Sequence, residues 1–519
     1  MDLVTPQSMR RMDREAIEEV GIPGPILMDR AARGAVDALV DHFQPPRGAR
    51  IGILCGTGNN GGDGLAMATM LANLGFEPYV LLLGEGDKLS PDAGLYYEIA
   101  AQTVGSLAIA ADDEELSRRL AAAPDCALWC DALLGTGLDR PLAGRYEQAV
   151  KFLRDQPAPV MAIDIPTGLD GRTGQVLGCA APAQMTATFG FAKVGQCLDP
   201  ARSYCGKIVV VDIGIPNSVR DHVGFDAVGL DRKWLGSHLP TRPDDLHKGG
   251  AGKTLHIGGR PETSGAIALS ARAALVAGAG LITVATDRAV QPWIPAQTSE
   301  IMSRAAFDSA AAKIDKPTLV DAIERADTVV IGPGLGTDDL SKKIFEITID
   351  AAPQRLIVDA DALNLLAKHD QLRRTFCDLA GHSSAVLTPH PGEASRLLGS
   401  EIDSILADAV AAALELRDKF SATVVLKTAA TVVAGTKGGV AINRTGNPGM
   451  ATGGMGDALT GLVAAAFADC SGDAFRAACQ AVVVHGLAGD RGVEKAGVRG
   501  LTVGRLLDAV PVVWQSVER

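Results

Sequence analysis

Short aliphatic runs alternate with longer helical stretches through the first half of the chain. Apolar runs bounded by turn residues are typical of buried strands, whereas apolar residues three and four positions apart are typical of helices. After a helix predicted over 13–20, the pattern places five strands at 50–55, 78–83, 127–131, 160–164 and 208–212. Strands that alternate with helices predict a parallel sheet with helices on both faces.

The second half repeats this alternation from Lys253 onward. Its strands are predicted at 254–258, 281–286, 328–331, 355–359, 385–388 and 423–426, and apolar helices follow from Asp457. Between the halves, residues 216–243 hold Gly, Pro and charged residues without a long periodic pattern, so we place a boundary near residue 222. The predicted fold class is α/β, with two α/β sandwich domains at 1–222 and 223–519.

Length and composition narrow the class of protein. A chain of 519 residues is longer than one ordinary core allows, because domains split beyond about 300 residues. The net charge of -12 argues against nucleic acid or an anionic membrane as a partner, since both attract basic surfaces. No apolar stretch of about 18 residues is present, and no apolar signal segment follows the arginines near the start. We therefore expect a soluble, cytoplasmic protein.

The cysteines support the same compartment. There are nine, an odd number, and they stand in apolar surroundings, which favours reduced thiols in the core. Cys126 and Cys130 lack the second pair of ligands that a zinc site needs. We expect neither a disulfide framework nor structural zinc.

A glycine-rich loop, Gly-Thr-Gly-Asn-Asn-Gly-Gly-Asp-Gly, occupies residues 56–64 directly after a predicted strand and opens a helix. Backbone N–H groups at such a helix start bind anions, although a tight turn also needs glycine for steric reasons alone. The loop is not a Gly-x-Gly-x-x-Gly pattern in register with a ribose-binding acid, so an ordinary dinucleotide dehydrogenase is a poor interpretation. Its asparagines and aspartate indicate a different polar site.

Two further predicted strands end in polar residues: Asp131 ends one, and Asp164 ends the next, with Thr167 three residues later. The carboxyl ends of parallel strands share one edge of the sheet, so these groups can converge there. Their oxygen atoms suit a hard cation better than zinc. Taken singly, each aspartate could instead cap a helix or anchor a turn.

Together these segments resemble the NAD(P)HX epimerase domain, whose substrate is hydrated NADH or NADPH. The resemblance covers nearly all of 1–215 and rests on residues 12–14, 21–23, 27–28, 59–64, 131–137, 164–168 and 189–193. It implies a Rossmann-like fold with K⁺ held by Asn60, Asp131 and Thr167. It also implies substrate contacts from Asn59, Asn60, Gly61, Gly62, Asp63, Gly135, Thr136, Gly137, Leu138, Asp139, Arg140, Pro141 and Asp164.

Epimerisation needs an acid and a base, because inverting the carbon that bears the hydroxyl breaks and remakes a bond beside the ring nitrogen. We assign this work to Asp131 or Asp164, assisted by Lys193. The alternative for Lys193 is a solvated surface lysine.

In the second half, five glycines stand between Gly446 and Gly456, directly before Asp457 and the apolar run 458–468. A helix start of this kind holds developing phosphate charge, and Asp457 stands where a base can take a hydroxyl proton. The segment 247–254 resembles a phosphate loop, but His247 stands where that motif needs glycine. The segment also precedes its predicted strand, whereas a phosphate loop follows one. We reject that interpretation.

The helix start resembles the ribokinase-like superfamily, and neighbouring motifs resemble its ADP/ATP-dependent NAD(P)HX dehydratase. These motifs lie at 247–249, 258–259, 264–266, 278–281, 332–336, 359–364 and 388–393, within a match over about 225–515. The resemblance implies that Ala266, Gly334, His390 and Asp457 contact the hydrated nucleotide. It implies that Lys427, Thr428, Ala429, Ala430, Thr431 and Gly456 hold ADP or ATP, although Thr428 stands where the family has glycine. For His390, a buried structural histidine is the alternative.

These assignments predict a bifunctional isomerase and lyase that repairs hydrated NADH and NADPH. Phosphorylation of the hydroxyl makes it a good leaving group, with Asp457 as the base and Mg²⁺ bridging the phosphates. We expect K⁺, Mg²⁺ and ADP or ATP as cofactors or co-substrates, and a homo-oligomer. The alternatives are a ribokinase-like vitamin or sugar kinase fused to a nucleotide-binding domain, and a nucleotide-sensing scaffold in the first half.

Overall fold

The computed structural model describes residues 1–85, 88–470 and 472–518. The chain forms two compact units, Asp2–Ala227 and Val228–Arg519 with Met1. The contacts thus divide the chain a few residues after the boundary placed near 222. The domain limits 1–222 and 223–519, and the activity assigned to each, stay a prediction.

The first unit is built from nine strands and eight helices within the described residues. The strands are β1 (Asp2–Val4), β2 (Arg50–Cys55), β3 (Glu77–Leu83), β4 (Ser106–Ala110), β5 (Leu128–Ala132), β6 (Val160–Ile163), β7 (Met185–Phe189), β8 (Ala192–Lys193) and β9 (Lys207–Val211). The helices are α1 (Pro6–Glu18), α2 (Gly24–Phe43), α3 (Asn59–Asn73), α4 (Pro91–Thr103), α5 (Asp113–Ala121), α6 (Gly144–Arg154), α7 (Ala201–Cys205) and α8 (Asn217–Val223).

Seven of these strands form a parallel sheet in the order β4-β3-β2-β5-β6-β7-β9. Alternate residues of each strand face opposite sides. In β3, for example, Val80 and Leu82 pack with helices α2 and α3, whereas Leu81 and Leu83 pack with α5 and α6. Both faces are therefore covered, as predicted for a parallel sheet.

A short strand pair outside the seven-stranded sheet places the chain's first helix. β1 lies parallel to β8 with Val4 opposite Lys193. Helix α1 begins two residues after β1, where the side chain of Thr5 accepts a hydrogen bond from the Ser8 backbone N–H. The helix predicted over 13–20 thus begins earlier and ends at Glu18, because this cap and Pro6 set its start.

The second unit contains eleven strands and thirteen helices within the described residues. The strands are β10 (Ala227–Leu230), which begins at the unit boundary, β11 (Lys253–Ile257), β12 (Leu281–Asp287), β13 (Met302–Asp308), β14 (Lys313–Ile314), β15 (Thr328–Ile331), β16 (Arg355–Val358), β17 (Ser384–Leu387), β18 (Thr423–Leu426), β19 (Val432–Ala434) and β20 (Val440–Asn443). The helices are α9 (Arg232–His238), α10 (Ser264–Val276), α11 (Trp293–Gln297), α12 (Lys316–Glu324), α13 (Asp339–Asp350), α14 (Asp361–Lys368), α15 (Asp370–Ala380), α16 (Pro391–Leu398), α17 (Ile402–Ala407), α18 (Ala409–Phe420), α19 (Met455–Asp469), α20 (Ala474–Ala496) and α21 (Val503–Val517).

Its sheet runs in the order β14-β13-β12-β11-β15-β16-β17-β18-β19-β20-β10. In this sheet order, neighbouring strands from β13 to β18 are parallel. The chain then turns back through β19 and β20, which pair antiparallel with β18 and with each other. Helices α10, α19, α20 and α21 bury their apolar residues against one face of this sheet. The α/β fold class predicted for both halves is confirmed.

The stretch 216–243 holds three short elements, α8, β10 and α9. Elements of four to seven residues are too short to show a periodic pattern, which is why the sequence did not reveal them. Within the described residues, no helix is both long and apolar enough to cross a membrane. None of the nine cysteines is in a disulfide there.

Two candidate active sites

A cavity of about 880 Å³ opens at the carboxyl ends of β2, β5 and β6. This is the edge at which parallel α/β sheets bind ligands, because the loops that follow the strands leave a crevice there. Its wall includes most of the residues that the resemblance assigned to substrate contact: Asn59, Asn60, Asp63, Gly135, Thr136, Gly137, Leu138, Asp139, Arg140, Pro141 and Asp164.

Gly61 and Gly62 do not line the cavity but lie behind its wall. A Cβ on Gly61 would meet the carbonyl oxygen of Gly56 at 1.8 Å, and one on Gly62 would meet the Met28 side chain at 2.7 Å. A Cβ on Gly56 would in turn meet the Leu133 carbonyl oxygen at 2.0 Å. These glycines therefore allow close packing, which brings Asn59, Asn60 and Asp63 to the cavity.

Lys193 forms a buried ion pair with Asp164 at the cavity wall. Its Nζ donates hydrogen bonds to Asp164 Oδ1 at 2.5 Å, Thr188 Oγ1 at 2.9 Å and the Phe189 carbonyl oxygen at 3.0 Å. The lysine side chain is 1% exposed and the aspartate 13%. The surface alternative for Lys193 is wrong, since the fold buries this ammonium beside a carboxylate.

Asp131 has a different position from Asp164. Its Oδ2 accepts a hydrogen bond from the Thr167 N–H at 2.8 Å, and its Oδ1 accepts one from Thr167 Oγ1 at 2.7 Å and one from the Leu133 N–H at 3.3 Å. The side chain is buried and is not part of the cavity wall. Burial raises the pKa of Asp131, although the bonds from Thr167 act in the opposite direction. Asp131 is the turn anchor, and Asp164 is the carboxylate that faces the cavity.

The side-chain amide of Asn60 offers a donor and an acceptor that make no hydrogen bond within the described residues. Its amide oxygen and nitrogen are buried, and neither has a hydrogen-bond partner among the described residues. Such orphaned polar atoms are rare and indicate a missing ligand, water or ion. Together with Asp131 and Thr167, Asn60 offers neutral and carboxylate oxygens, the ligand chemistry of a hard cation such as K⁺. No cluster of three or more His, Cys, Asp or Glu side chains suited to a metal occurs in the described residues.

Helix α1 contributes cavity residues that the sequence prediction did not include among the site residues. They are Met9, Arg10, Asp13 and Ile17. Burial raises the pKa of Asp13 to about 6, with Lys193 lowering it and Asp164 raising it. The signal available in the sequence was a carboxylate within an apolar face, four residues after Met9 and four before Ile17. Burial also raises the pKa of Asp63, well above its usual value.

The second candidate site surrounds Asp457 at the start of α19. The helix begins after Gly454, whose φ of +87° places it in the left-handed region. Lys427, directly after β18, places its Nζ 2.8 Å from Asp359 Oδ1 and 3.9 Å from Glu393 Oε2. A Cβ at Gly456 would lie 3.2 Å from Lys427 Nζ, so the helix start packs against this ammonium.

This cluster holds more carboxyl groups than cations. Asp359 is 1% exposed and also accepts a hydrogen bond from Thr460 Oγ1 at 2.7 Å. Burial raises the pKa of Asp457 to about 7, with a further increase from Asp359, and raises the pKa of Glu393 to about 7. Burial alone lowers the pKa of Lys427, but Asp359 and Glu393 reverse this, so its pKa lies above the usual value. Two carboxyl groups are thus poised to exchange protons near neutral pH.

His390 caps helix α16 at the edge of the same cluster. Its Nδ1 accepts a hydrogen bond from the Gly392 N–H at 3.0 Å, and Glu393 Oε2 accepts one from the His390 N–H at 2.9 Å. The imidazole Nε2 lies 3.4 Å from Glu393 Oε1, and the side chain is 50% exposed. The buried-histidine alternative is therefore wrong, and the ring is accessible to a ligand.

The loop at 332–336 is fixed from two sides. The Gly334 carbonyl oxygen accepts hydrogen bonds from Thr263 Oγ1 at 2.9 Å and from the Arg260 N–H at 3.0 Å. The Gly336 N–H donates to Asp361 Oδ2 at 2.8 Å. Ala266 lies half-buried in the first turn of α10, three residues after Thr263. Thr263 thus joins the loop at Gly334 to the start of this helix.

Residues 427–431 form a turn between β18 and β19. Thr428 Oγ1 donates to the Ala430 carbonyl oxygen at 2.8 Å, and Thr431 Oγ1 donates to the Thr428 carbonyl oxygen at 3.1 Å. Thr428 does not have a left-handed φ. Threonine therefore fits at this position, where the resemblance implied glycine, and its hydroxyl stabilises the turn.

Comparison with known proteins covers both units. Residues 254–512 match the family described as NAD(P)H-hydrate dehydratase, and residues 24–195 match the family described as YjeF-related protein N-terminus. The bifunctional NAD(P)H-hydrate repair enzyme Nnr of Moorella thermoacetica is 37% identical over 100% of this chain and 97% of its own. The enzyme of the same name from Escherichia coli is 34% identical over 95% of this chain and 90% of its own. A Bacillus subtilis ADP/ATP-dependent NAD(P)H-hydrate dehydratase, co-crystallised with ATP and Mg²⁺, is 25% identical with a TM-score of 0.49, covering 57% of this chain and 100% of that one.

Proposed function

The chain belongs to the family of bifunctional NAD(P)H-hydrate repair enzymes, and we propose that its two units divide the repair between them. The first unit interconverts the R and S epimers of NAD(P)HX, and the second dehydrates the S epimer at the expense of ADP or ATP. The observation that supports this division is a pair of distinct lysine–carboxylate sites. Lys193 pairs with Asp164, which follows β6, and Lys427, which follows β18, pairs with Asp359, which follows β16.

For epimerisation, the carbon–oxygen bond beside the ring nitrogen must break and re-form on the opposite face. Protonation lets the hydroxyl leave as water, while the nitrogen lone pair stabilises the resulting cation. Water then adds from the other face and loses a proton to a base. Asp164 is held beside Lys193 at the cavity wall, so it is in position to accept that proton.

The cavity also contains groups for the rest of the substrate. Arg10 and Arg140 line its wall and offer guanidinium groups to phosphate oxygens. Asn60, Asp131 and Thr167 would hold K⁺, which would supply fixed positive charge beside the glycine-rich loop. The orphaned amide of Asn60 supports this assignment.

For dehydration, the hydroxyl first becomes a phosphate ester. Asp457 takes the hydroxyl proton as the oxygen attacks the terminal phosphoryl group, and the helix start of α19 stabilises the developing charge with its N–H groups. Loss of phosphate from the ester, with a proton from the neighbouring carbon, then restores the ring double bond. Mg²⁺ on the nucleotide phosphates would neutralise their charge, and the oxygens of Asp457 and Glu393 are of the type it prefers.

The combined assignment is tested with purified full-length protein, K⁺, Mg²⁺, ATP or ADP and a mixture of both NADHX epimers. We expect the absorbance of reduced nicotinamide to return in full from both epimers. Recovery of the S epimer alone would remove the epimerase assignment. A stable phosphorylated product without reduced nicotinamide would favour the ribokinase-like kinase, and nucleotide binding with an unchanged epimer ratio would favour the sensing scaffold.

Two wider assignments stay proposals. The absence of disulfides in the described residues supports a reducing, cytoplasmic location. The homo-oligomer also stays a proposal, which sedimentation of the purified chain would test.

A further inference from the structure

Asp13 faces the cavity of the first unit from the middle of α1. Met9, Asp13 and Ile17 are four residues apart and line the cavity, while Met12 and Ala16 on the adjacent face are buried in the core. The Asp13 side chain is half-buried and lines the cavity, and no side-chain hydrogen bond to its carboxyl occurs among the described residues. A carboxyl group that opens onto the cavity and makes no structural bond is available to a ligand there.

The strand before α1 explains how Asp13 reaches this position. β1 pairs with β8 so that Val4 lies opposite Lys193, and the chain passes from β1 into α1 at once. The element that carries Lys193 therefore also fixes the start of the helix that carries Asp13. The packing of Met12 in the core sets the helix rotation.

The charges around Asp13 are unequal. Three carboxyl groups, Asp13, Asp63 and Asp164, act on one another and on a single ammonium, that of Lys193. Of the three, Asp164 has the ion pair with Lys193. The other charged groups on the cavity wall are Arg10, Asp92, Asp139 and Arg140. Burial, and then the neighbouring carboxylates that the single lysine does not neutralise, raise the pKa of Asp13 to about 6 and the pKa of Asp63 well above its usual value.

We propose that Asp13 is the second catalytic carboxyl of the first unit and the proton donor to the departing hydroxyl of NAD(P)HX. This rests on the epimerase activity proposed above. The Asp13 O–H proton moves to the hydroxyl oxygen, the carbon–oxygen bond breaks, and water leaves. A water molecule adds to the opposite face, and its proton goes to Asp164. The reverse direction uses the same two groups with exchanged roles, so no other reactant is needed.

Different environments support this division of roles. Asp164 is bonded to an ammonium, which stabilises its charged form and suits it to accept a proton. Burial holds the pKa of Asp13 near 6, above the usual value for aspartate, which suits it to donate one. Two carboxyls in different environments, one paired with a cation and one in an apolar setting, are the usual pattern of an acid and base pair.

The test compares Asp13→Asn with Glu18→Gln, which makes the same charge change at an exposed position of the same helix. Epimerisation kcat and KM are measured with each purified NADHX epimer, and dehydration of the S epimer on the same chain serves as the control for folding. We expect Asp13→Asn to lower epimerisation kcat on the order of 100-fold with little change in KM, while Glu18→Gln has no effect.

The pH profile of epimerisation adds a second measurement, which would not change if Asp13 had only a structural role. Wild-type epimerisation should lose rate as the pH rises above the pKa of the donor, and Asp13→Asn should lack that alkaline decline. If Asp13→Asn keeps wild-type kcat, the proposal is overturned. If Asp13→Asn lowers dehydration as well, the Asp13→Glu variant is measured next. Recovery of both epimerisation and dehydration in Asp13→Glu supports the role of Asp13. Full dehydration without epimerisation in Asp13→Glu overturns it. Absence of epimerisation in the wild type would overturn the epimerase assignment itself.

Discussion

The ammonium of Lys193 lies 2.5 Å from Asp164 Oδ1 and is almost completely buried. Removing one partner of a buried ion pair leaves the other charge uncompensated, which costs about 3 to 5 kcal/mol. The pair therefore has consequences for stability as well as for catalysis.

Lys193→Met should abolish epimerisation and destabilise the first unit by about 3 kcal/mol, because Asp164 loses its cation in a buried setting. Urea denaturation followed together with epimerisation measures both effects. Lys151→Met is the matched control, since Lys151 pairs with Glu147 on the surface and its loss should cost less than about 1 kcal/mol. Equal effects of the two substitutions would argue against a structural role for the buried pair.

Dehydration should depend on the ionised form of Asp457. Burial raises its pKa to about 7, so the rate of dehydration should fall as the pH decreases through about 7. Asp457→Asn should abolish dehydration at every pH and leave epimerisation intact. A flat pH profile in the wild type would remove Asp457 as the base.

The same pKa makes a prediction about stability. The folded state holds the Asp457 proton more tightly than the unfolded state, in which the pKa of this carboxyl is near 3.8. Ionisation of Asp457 therefore lowers the free energy of unfolding as the pH rises from about 4 to 7. At pH above that range, Asp457→Asn should stabilise the second unit by about 1 to 3 kcal/mol, while at acid pH the two proteins should be similar. Denaturation curves at both pH values test this, and a substitution that destabilises at high pH would contradict it.

Lys427 was assigned from the sequence to the nucleotide, but its Nζ is 2.8 Å from the buried Asp359. If its main work is to neutralise the cluster around Asp457, Lys427→Met should lower kcat for dehydration strongly and change the KM for ATP little. Steady-state kinetics with varied ATP distinguish this from a direct nucleotide contact. A large rise in KM for ATP at unchanged kcat would restore the nucleotide role.

A bound K⁺ should stabilise the first unit, because an ion that binds only the folded state shifts the unfolding equilibrium. Replacing K⁺ with tetramethylammonium should lower the melting temperature of the first unit and slow epimerisation. In Asn60→Ala this dependence on K⁺ should disappear, since the orphaned amide oxygen is lost. A melting temperature that is insensitive to K⁺ in the wild type would argue against the ion.

Much of the fold could be predicted because buried parallel strands are short aliphatic runs. The limits of β2, β15 and β18 agree with the predicted strands to the residue. Elements of two or three residues, such as β1 and β8, could not be predicted, since so short a segment has no periodicity and exists only through its partner. That pairing is also what brings α1 to the cavity.

The candidate sites could be predicted in part for a related reason. Asp131 lies at the end of β5, Asp164 follows β6 and Asp457 lies in the first turn of α19, so topology brought them into consideration. Which carboxylate faces the cavity depends on the turn that Thr167 fixes against Asp131. The burial of Lys193 and the approach of Asp13 arise from contacts between distant segments, which no local pattern reveals.

The most direct test of two separate sites on one chain uses purified R-NADHX alone, with K⁺, Mg²⁺ and ATP. The wild type should convert it to NADH, because the first site supplies the S epimer to the second. Asp164→Asn and Asp457→Asn should each form NADH no faster than the reaction without enzyme. An equal mixture of the two variants should restore NADH formation, since each contributes one intact site. Failure of the mixture, or NADH formation from R-NADHX by Asp164→Asn alone, would contradict the division of the repair between the two units.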